Sequence, residues 1–162
     1  MGMARHEAYT LLLQGEHILE FINGLSTNLV TGPCTTVFTS RAAQIVDVCE
    51  VIPVGENVAL VGFHPQKNQL IKHLSDRILG QPISISDISD LNDVFIGLPD
   101  EPHPSGTTVH QSHFGTMYII PKKLEQEPTW TEDEWTEHRI ANMVPFYGHE
   151  ITSKVHPLAC GL

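Results

Sequence analysis

The stretch "AQIVDVCEVIPVGENVALVGF" (43–63) decides the fold. It reads as two strands rich in β-branched residues, 43–55 and 56–63, folded back at a turn over Pro53–Gly55. Side chains alternate along a strand, so Ile45, Asp47 and Cys49 share one face, and Val46, Val48 and Glu50 share the other. A carboxylate inside such an apolar run is either on an exposed face or buried with a task. Alternation favours the exposed face for Asp47. It also implies that Asp47 and Glu50, on opposite faces, are not equally buried.

Outward from this hairpin, "AYTLLLQG" (8–15) suits a buried strand ending at a glycine. "EHILEFINGL" (16–25) places Ile18, Phe21, Ile22 and Leu25 at helical spacing, with Gly24 near its stop. "PCTTVFTS" (33–40) is another strand. "HPQKNQLIKHLSDRILG" (64–80) is the clearest helix, with Pro65 in its first turn, Leu70, Ile71, Leu74 and Ile78 as its apolar face, and Gly80 at its end. Strands follow at 82–89, 93–98 and 114–121, with a proline-rich surface loop at 99–108. "TWTEDEWTEHRIANM" (129–143) is a last helix: Thr131 and Glu134 form a capping box, and Trp135, His138 and Met143 face inward. Hairpins interleaved with helices predict an α+β domain over 1–162, a mixed, largely antiparallel sheet with about three helices.

Nineteen acidic residues against nine Lys and Arg give a formal charge of −10, a field that repels phosphate backbones, so no nucleic-acid partner is expected. No apolar run approaches the roughly 20 residues that span a bilayer, and the first residues are too polar for a secretory signal; a cytoplasmic protein is expected. Cys34, Cys49 and Cys160 lack CxxC spacing and read as structural thiols. The pairs His110/His113 and His149/His156 lack a third ligand at metal spacing, so no metal is expected. Arg139 is either a surface arginine paired with Glu134 or Glu137, or a planar fork holding a ligand carboxylate or ring carbonyl.

Several segments resemble one superfamily. "LQGEHILEFINGLSTNLV" (13–30) is similar to the opening of the glycine-cleavage T-protein (aminomethyltransferase) and YgfZ-like folate-binding proteins, with the Thr27–Asn28 pair in place. "VFTSRAAQIVDVCEV" (37–51) resembles that family's "FTNxxGGIxDDLxV" strand at Phe38, Thr39, Ile45, Asp47 and Val51. "RIANMVPFYGHEITSKVHPLACGL" (139–162) resembles "RIEAGxPxYGxEIxxxxxPLEAGL" at Arg139, Ile140, Ala141, Pro145, Tyr147, Gly148, Glu150, Ile151, Pro157, Leu158, Gly161 and Leu162.

The resemblance implies a single folate-binding lobe without the family's C-terminal β-barrel, and tetrahydrofolate or another reduced folate as ligand. It implies Arg139, Asp47 and Tyr147 as folate contacts, with Asp47 as the catalytic candidate. The second acid of the family's aspartate pair, which the alignment makes the chemical one, is Val48 here. The expectation is therefore an aminomethyltransferase-like folate binder of one-carbon metabolism, weak or lacking in catalysis. The alternative is a non-catalytic module or small subunit that dimerises or binds a protein partner.

Overall fold

The computed structural model describes residues 2–144. Among the described residues nine strands form two sheets, and every pairing of these strands is antiparallel. In chain order the strands are β1 (Met3–Arg5), β2 (Ala8–Gly15), β3 (Cys34–Thr39), β4 (Ile45–Val54), β5 (Asn57–Phe63), β6 (Ile83–Asp87), β7 (Asn92–Gly97), β8 (Thr108–Ser112) and β9 (Gly115–Pro121). The helices are α1 (Ile18–Leu25), α2 (Lys67–Ile78) and α3 (Glu132–Ala141). A five-stranded sheet runs β3-β4-β5-β2-β6 and a four-stranded sheet β1-β7-β9-β8. The α+β class and the three helices match the sequence reading. None of the described helices is long and apolar enough to cross a membrane.

The molecule is layered. Leu70 and Leu74 of α2 and Ile18 and Ile22 of α1 pack on one face of the five-stranded sheet with Tyr9, Leu11, Leu13, Cys49, Val51 and Leu60. The opposite face meets the second sheet, where Ile52, Ala59 and Val61 pack against Val94, Met117 and Ile119. The interior strand β4, paired with β3 and β5, is thus covered on both sides. This overturns the exposed face expected for Asp47 and the unequal burial expected of Asp47 and Glu50: their exposures are 0% and 2%. Alternation cannot reveal a covered second face, because only the other sheet supplies the cover.

The β4 faces also differ from strict alternation. The β3–β4 register steps from Phe38↔Asp47 to Thr39↔Ile45, so Val46 bulges. Ile45 therefore packs in the same cluster as Val48, while Val46 joins the Asp47 side. The hairpin turn falls at Gly55–Glu56 rather than Pro53–Gly55, since Pro53 pairs with Val58 inside the strand and Gly55 takes φ 61°.

β1 and β8 are edge strands that escaped the sequence reading, β1 because it is only three residues long and β8 because it is short and polar. α3 has the expected capping box: Thr131 Oγ1 accepts from Glu134 N at 3.2 Å, and Glu134 Oε1 accepts from Thr131 N at 3.4 Å. Met143, expected inward, is 90% exposed, because it lies beyond the end of α3 with φ 56°.

Candidate functional site

α3 packs beside β1, and between them, the β1–β2 junction and the end of β5 lies a cleft of about 370 Å3. The junction contributes Arg5, His6 and Glu7, and β5 contributes Phe63. The remaining wall comes from Trp130 and from Glu132, Trp135, Thr136 and Arg139 of α3. The Trp130 and Trp135 rings lie 6.5 Å apart, and His138 stacks on Trp135 at 5.9 Å. The cleft thus offers aromatic surface with polar groups around it, the usual make-up of a small-molecule site.

Arg139 is buried, at 3% exposure, and its Nη1 donates to the Val144 carbonyl at 3.4 Å. This replaces the surface pairing with Glu134 or Glu137 that sequence slightly favoured. Burial pulls the His6 imidazole down to about 4, so this ring is neutral at physiological pH. A second cleft, of about 380 Å3, shares Arg5, His6 and Glu7 but is walled largely by charged and polar groups. There Asp93 holds Arg5 at 3.0 Å and Lys122 at 4.0 Å, which commits its cations.

Asp47 is not among the residues lining either cleft. Its carboxylate sits on the helix-covered face, where Tyr9 OH donates to Oδ2 at 2.5 Å, Phe63 N to Oδ2 at 3.2 Å and Val48 N to Oδ1 at 2.8 Å. Cys49 completes this closed group, with its Sγ 3.3 Å from the Tyr9 oxygen. Burial pushes the Asp47 carboxyl up to about 7, against hydrogen bonds that favour the ionised form. Phe63 links the two places: its backbone N–H reaches Asp47, while the residue lines the cleft with Arg139. Tyr147 lies outside the described residues.

Val48 faces the other way. It packs with Ile96, Phe114 and Trp135, and Phe63 and Trp130 lie against the same cluster. The β4 side chain that packs against these cleft residues is therefore hydrocarbon. Farther along that face, Glu50 is held between the sheets. It accepts from Thr35 Oγ1 at 2.5 Å and meets His110 Nε2 at 3.2 Å. His110 and His113, weighed as a possible metal pair, separate here. His110 turns inward to Glu50, while His113 is exposed beside Phe114.

Sequence reading singled out Arg139 but missed Trp130 and His6. A recoverable signal was present in α3, since Glu132, Trp135, Thr136 and Arg139 fall at i, i+3, i+4 and i+7.

No family model matches the chain, and no curated protein matches it. Among solved structures, it is similar to the crystal structure of glycine cleavage system aminomethyltransferase T from Bartonella henselae, with a TM-score of 0.72 and 13% sequence identity. The match covers 96% of this chain and 55% of that one, so the chain spans just over half the length of its structural counterpart. At that identity the likeness shows a T-protein-like fold and nothing finer.

Proposed function

We propose that this chain binds a reduced folate of one-carbon metabolism in the α3 cleft and has little or no aminomethyltransferase activity of its own. The carrying observation is Arg139, a buried guanidinium lining a cleft that also holds Trp130, Trp135 and Phe63. A folate is a planar heterocycle joined to an anionic tail. Indole and phenyl faces suit the ring, and a guanidinium suits a carbonyl or carboxylate. The volume of about 370 Å3 lies within the range of small-molecule pockets, roughly 300–1,000 Å3. The T-protein-like fold supports the same reading.

Transfer of an aminomethyl group needs a positioned acid or base at the reacting amine. On β4, Val48 packs against the cleft residues Phe63, Trp130 and Trp135 and offers no acid or base, while Asp47 is enclosed on the opposite face by Tyr9, Cys49 and the backbone. This favours binding over turnover. It also leaves a protein partner or a second copy as the alternative occupant should the cleft be empty of folate.

Calorimetric titration with 5-formyltetrahydrofolate tests the reading. Micromolar binding, about 8 kcal/mol, that Arg139→Ala weakens at least tenfold is the expected result. No heat and no thermal shift with the wild-type chain would overturn it. Folate-dependent ammonia release from an aminomethyl-lipoyl carrier by the purified chain would overturn the non-catalytic half.

A further inference from the structure

Trp130 belongs to neither α3 nor β1, yet its indole lines the cleft. Two anchors fix it. Its backbone N–H donates to the Met3 carbonyl at 3.0 Å, beside the Thr129 N–H at 2.9 Å on the same oxygen. The indole lies on the bare backbone of Gly2, where an added Cβ would fall 2.0 Å from Cε2 and Cζ2 and 2.4 Å from Cη2. Carbon atoms in contact stand about 3.5–4.0 Å apart, so a side chain at position 2 would force ring and backbone apart by roughly 1.5 Å.

The backbone is the part that cannot yield. Gly2 N donates to the buried Glu101 carboxylate at 2.6 Å, and Gly2 O accepts from Leu98 N at 2.9 Å. Met3 N donates to Thr129 Oγ1 at 3.0 Å, which ties the next residue as well. The indole, by contrast, is the far end of a half-buried side chain. The rings of His138 and Trp135 stand 5.1 and 6.5 Å from it, so its open direction is the cleft.

We propose that Gly2 is a positioning residue for the ligand: its missing side chain seats the Trp130 indole against β1 and so sets the width of the cleft. This deepens the folate reading and rests on it for the ligand, though not for the seat. Gly2 is not among the residues lining the cleft and acts through Trp130 alone. Aromatic rings stack within a narrow span, about 4.5–7 Å between centroids, so a wall displaced towards the ligand loses its stacking distance.

The test joins calorimetry with 5-formyltetrahydrofolate to acrylamide quenching of indole fluorescence. Calorimetry compares wild type, Gly2→Ala, Trp130→Phe and the double variant. Phenylalanine lacks the outer indole ring that Gly2 accommodates, so alanine at position 2 is harmless beside it. The expected result is at least tenfold weaker binding for Gly2→Ala alone, and less than twofold further loss when it is added to Trp130→Phe. A merely destabilising alanine would cost the same in both backgrounds. Equal losses, or wild-type affinity in Gly2→Ala, would overturn the proposal. Should Gly2→Ala not fold, the double variant should, and unfolding of both would overturn it too.

Quenching reads the seat without ligand, in a Trp135→Phe chain where Trp130 is the one remaining tryptophan. Gly2→Ala is expected to raise the quenching constant, and an unchanged constant would overturn the seat. No folate binding by the wild-type chain would remove the folate reading alone, and quenching would still decide the seat.

Discussion

Tyr9 and Asp47 meet across the intervening strand β5, over the bare backbone of Gly62. Gly62 pairs with Tyr9 in the sheet, and a Cβ placed on it would fall 2.2 Å from the phenol oxygen and 2.3 Å from Asp47 Oδ2. The glycine is there for space, since neither side chain can withdraw from a closed core.

Gly62→Ala is accordingly expected to separate the pair and destabilise the fold by about 1–3 kcal/mol, the usual range for overpacking. Urea denaturation measures this. An alanine variant as stable as wild type would mean that Tyr9 or Asp47 has another place to go.

The Asp47 carboxyl gives stability a pH dependence of definite sign. Its folded value of about 7 lies above the ordinary 3.8, so between these values the folded chain keeps a proton that the unfolded chain has released. The stabilisation is full below about pH 4 and is lost as pH rises towards 7. Asp47→Asn cannot titrate. Its stability relative to wild type should therefore rise across that window, by on the order of 4 kcal/mol at most. Parallel stability curves for the two proteins from pH 4 to 8 would refute the assignment.

Ala43 stands in the left-handed region at φ 59°, where a Cβ is strained. Replacing it with glycine should raise stability by up to about 1 kcal/mol, the relief of strain exceeding the added freedom of the unfolded chain. A lower thermal midpoint for Ala43→Gly would contradict this.

Glu50 and His110, both 3% exposed at their side chains, join the two sheets through one buried contact. Glu50→Ala would leave the His110 ring and the Thr35 hydroxyl without their acceptor, at a cost of about 3–5 kcal/mol. The paired change Glu50→Leu with His110→Leu should cost less than the sum of its single changes. A double-mutant cycle in denaturant reads that coupling, and strict additivity would show the contact to be unimportant.

Much of this fold is legible locally. The β4–β5 hairpin, the amphipathic α2 and the Thr131–Glu134 cap follow from spacing and end signals a few residues long. The bulge at Val46 is not, because it is defined by a step in pairing with Phe38 and Thr39 on another strand. Burial of Asp47 and Glu50 was misjudged because the covering layers come from distant sequence. The candidate site divides in the same way. Arg139 stood out by resemblance and the α3 stripe was readable by its period. The opposite wall, Arg5 to Glu7, reaches α3 only through the tertiary fold.

The double covering of β4 also governs how the chain can vary. A strand with one wet face forgives every second substitution, so a saturation scan along it would oscillate. Along β4 that oscillation should vanish from Asp47 to Ile52, where six consecutive residues are buried. Lineages drifting here would be constrained at each residue instead of at alternate ones, and changes on one side of the ribbon would demand accommodation by helices, those on the other by the second sheet.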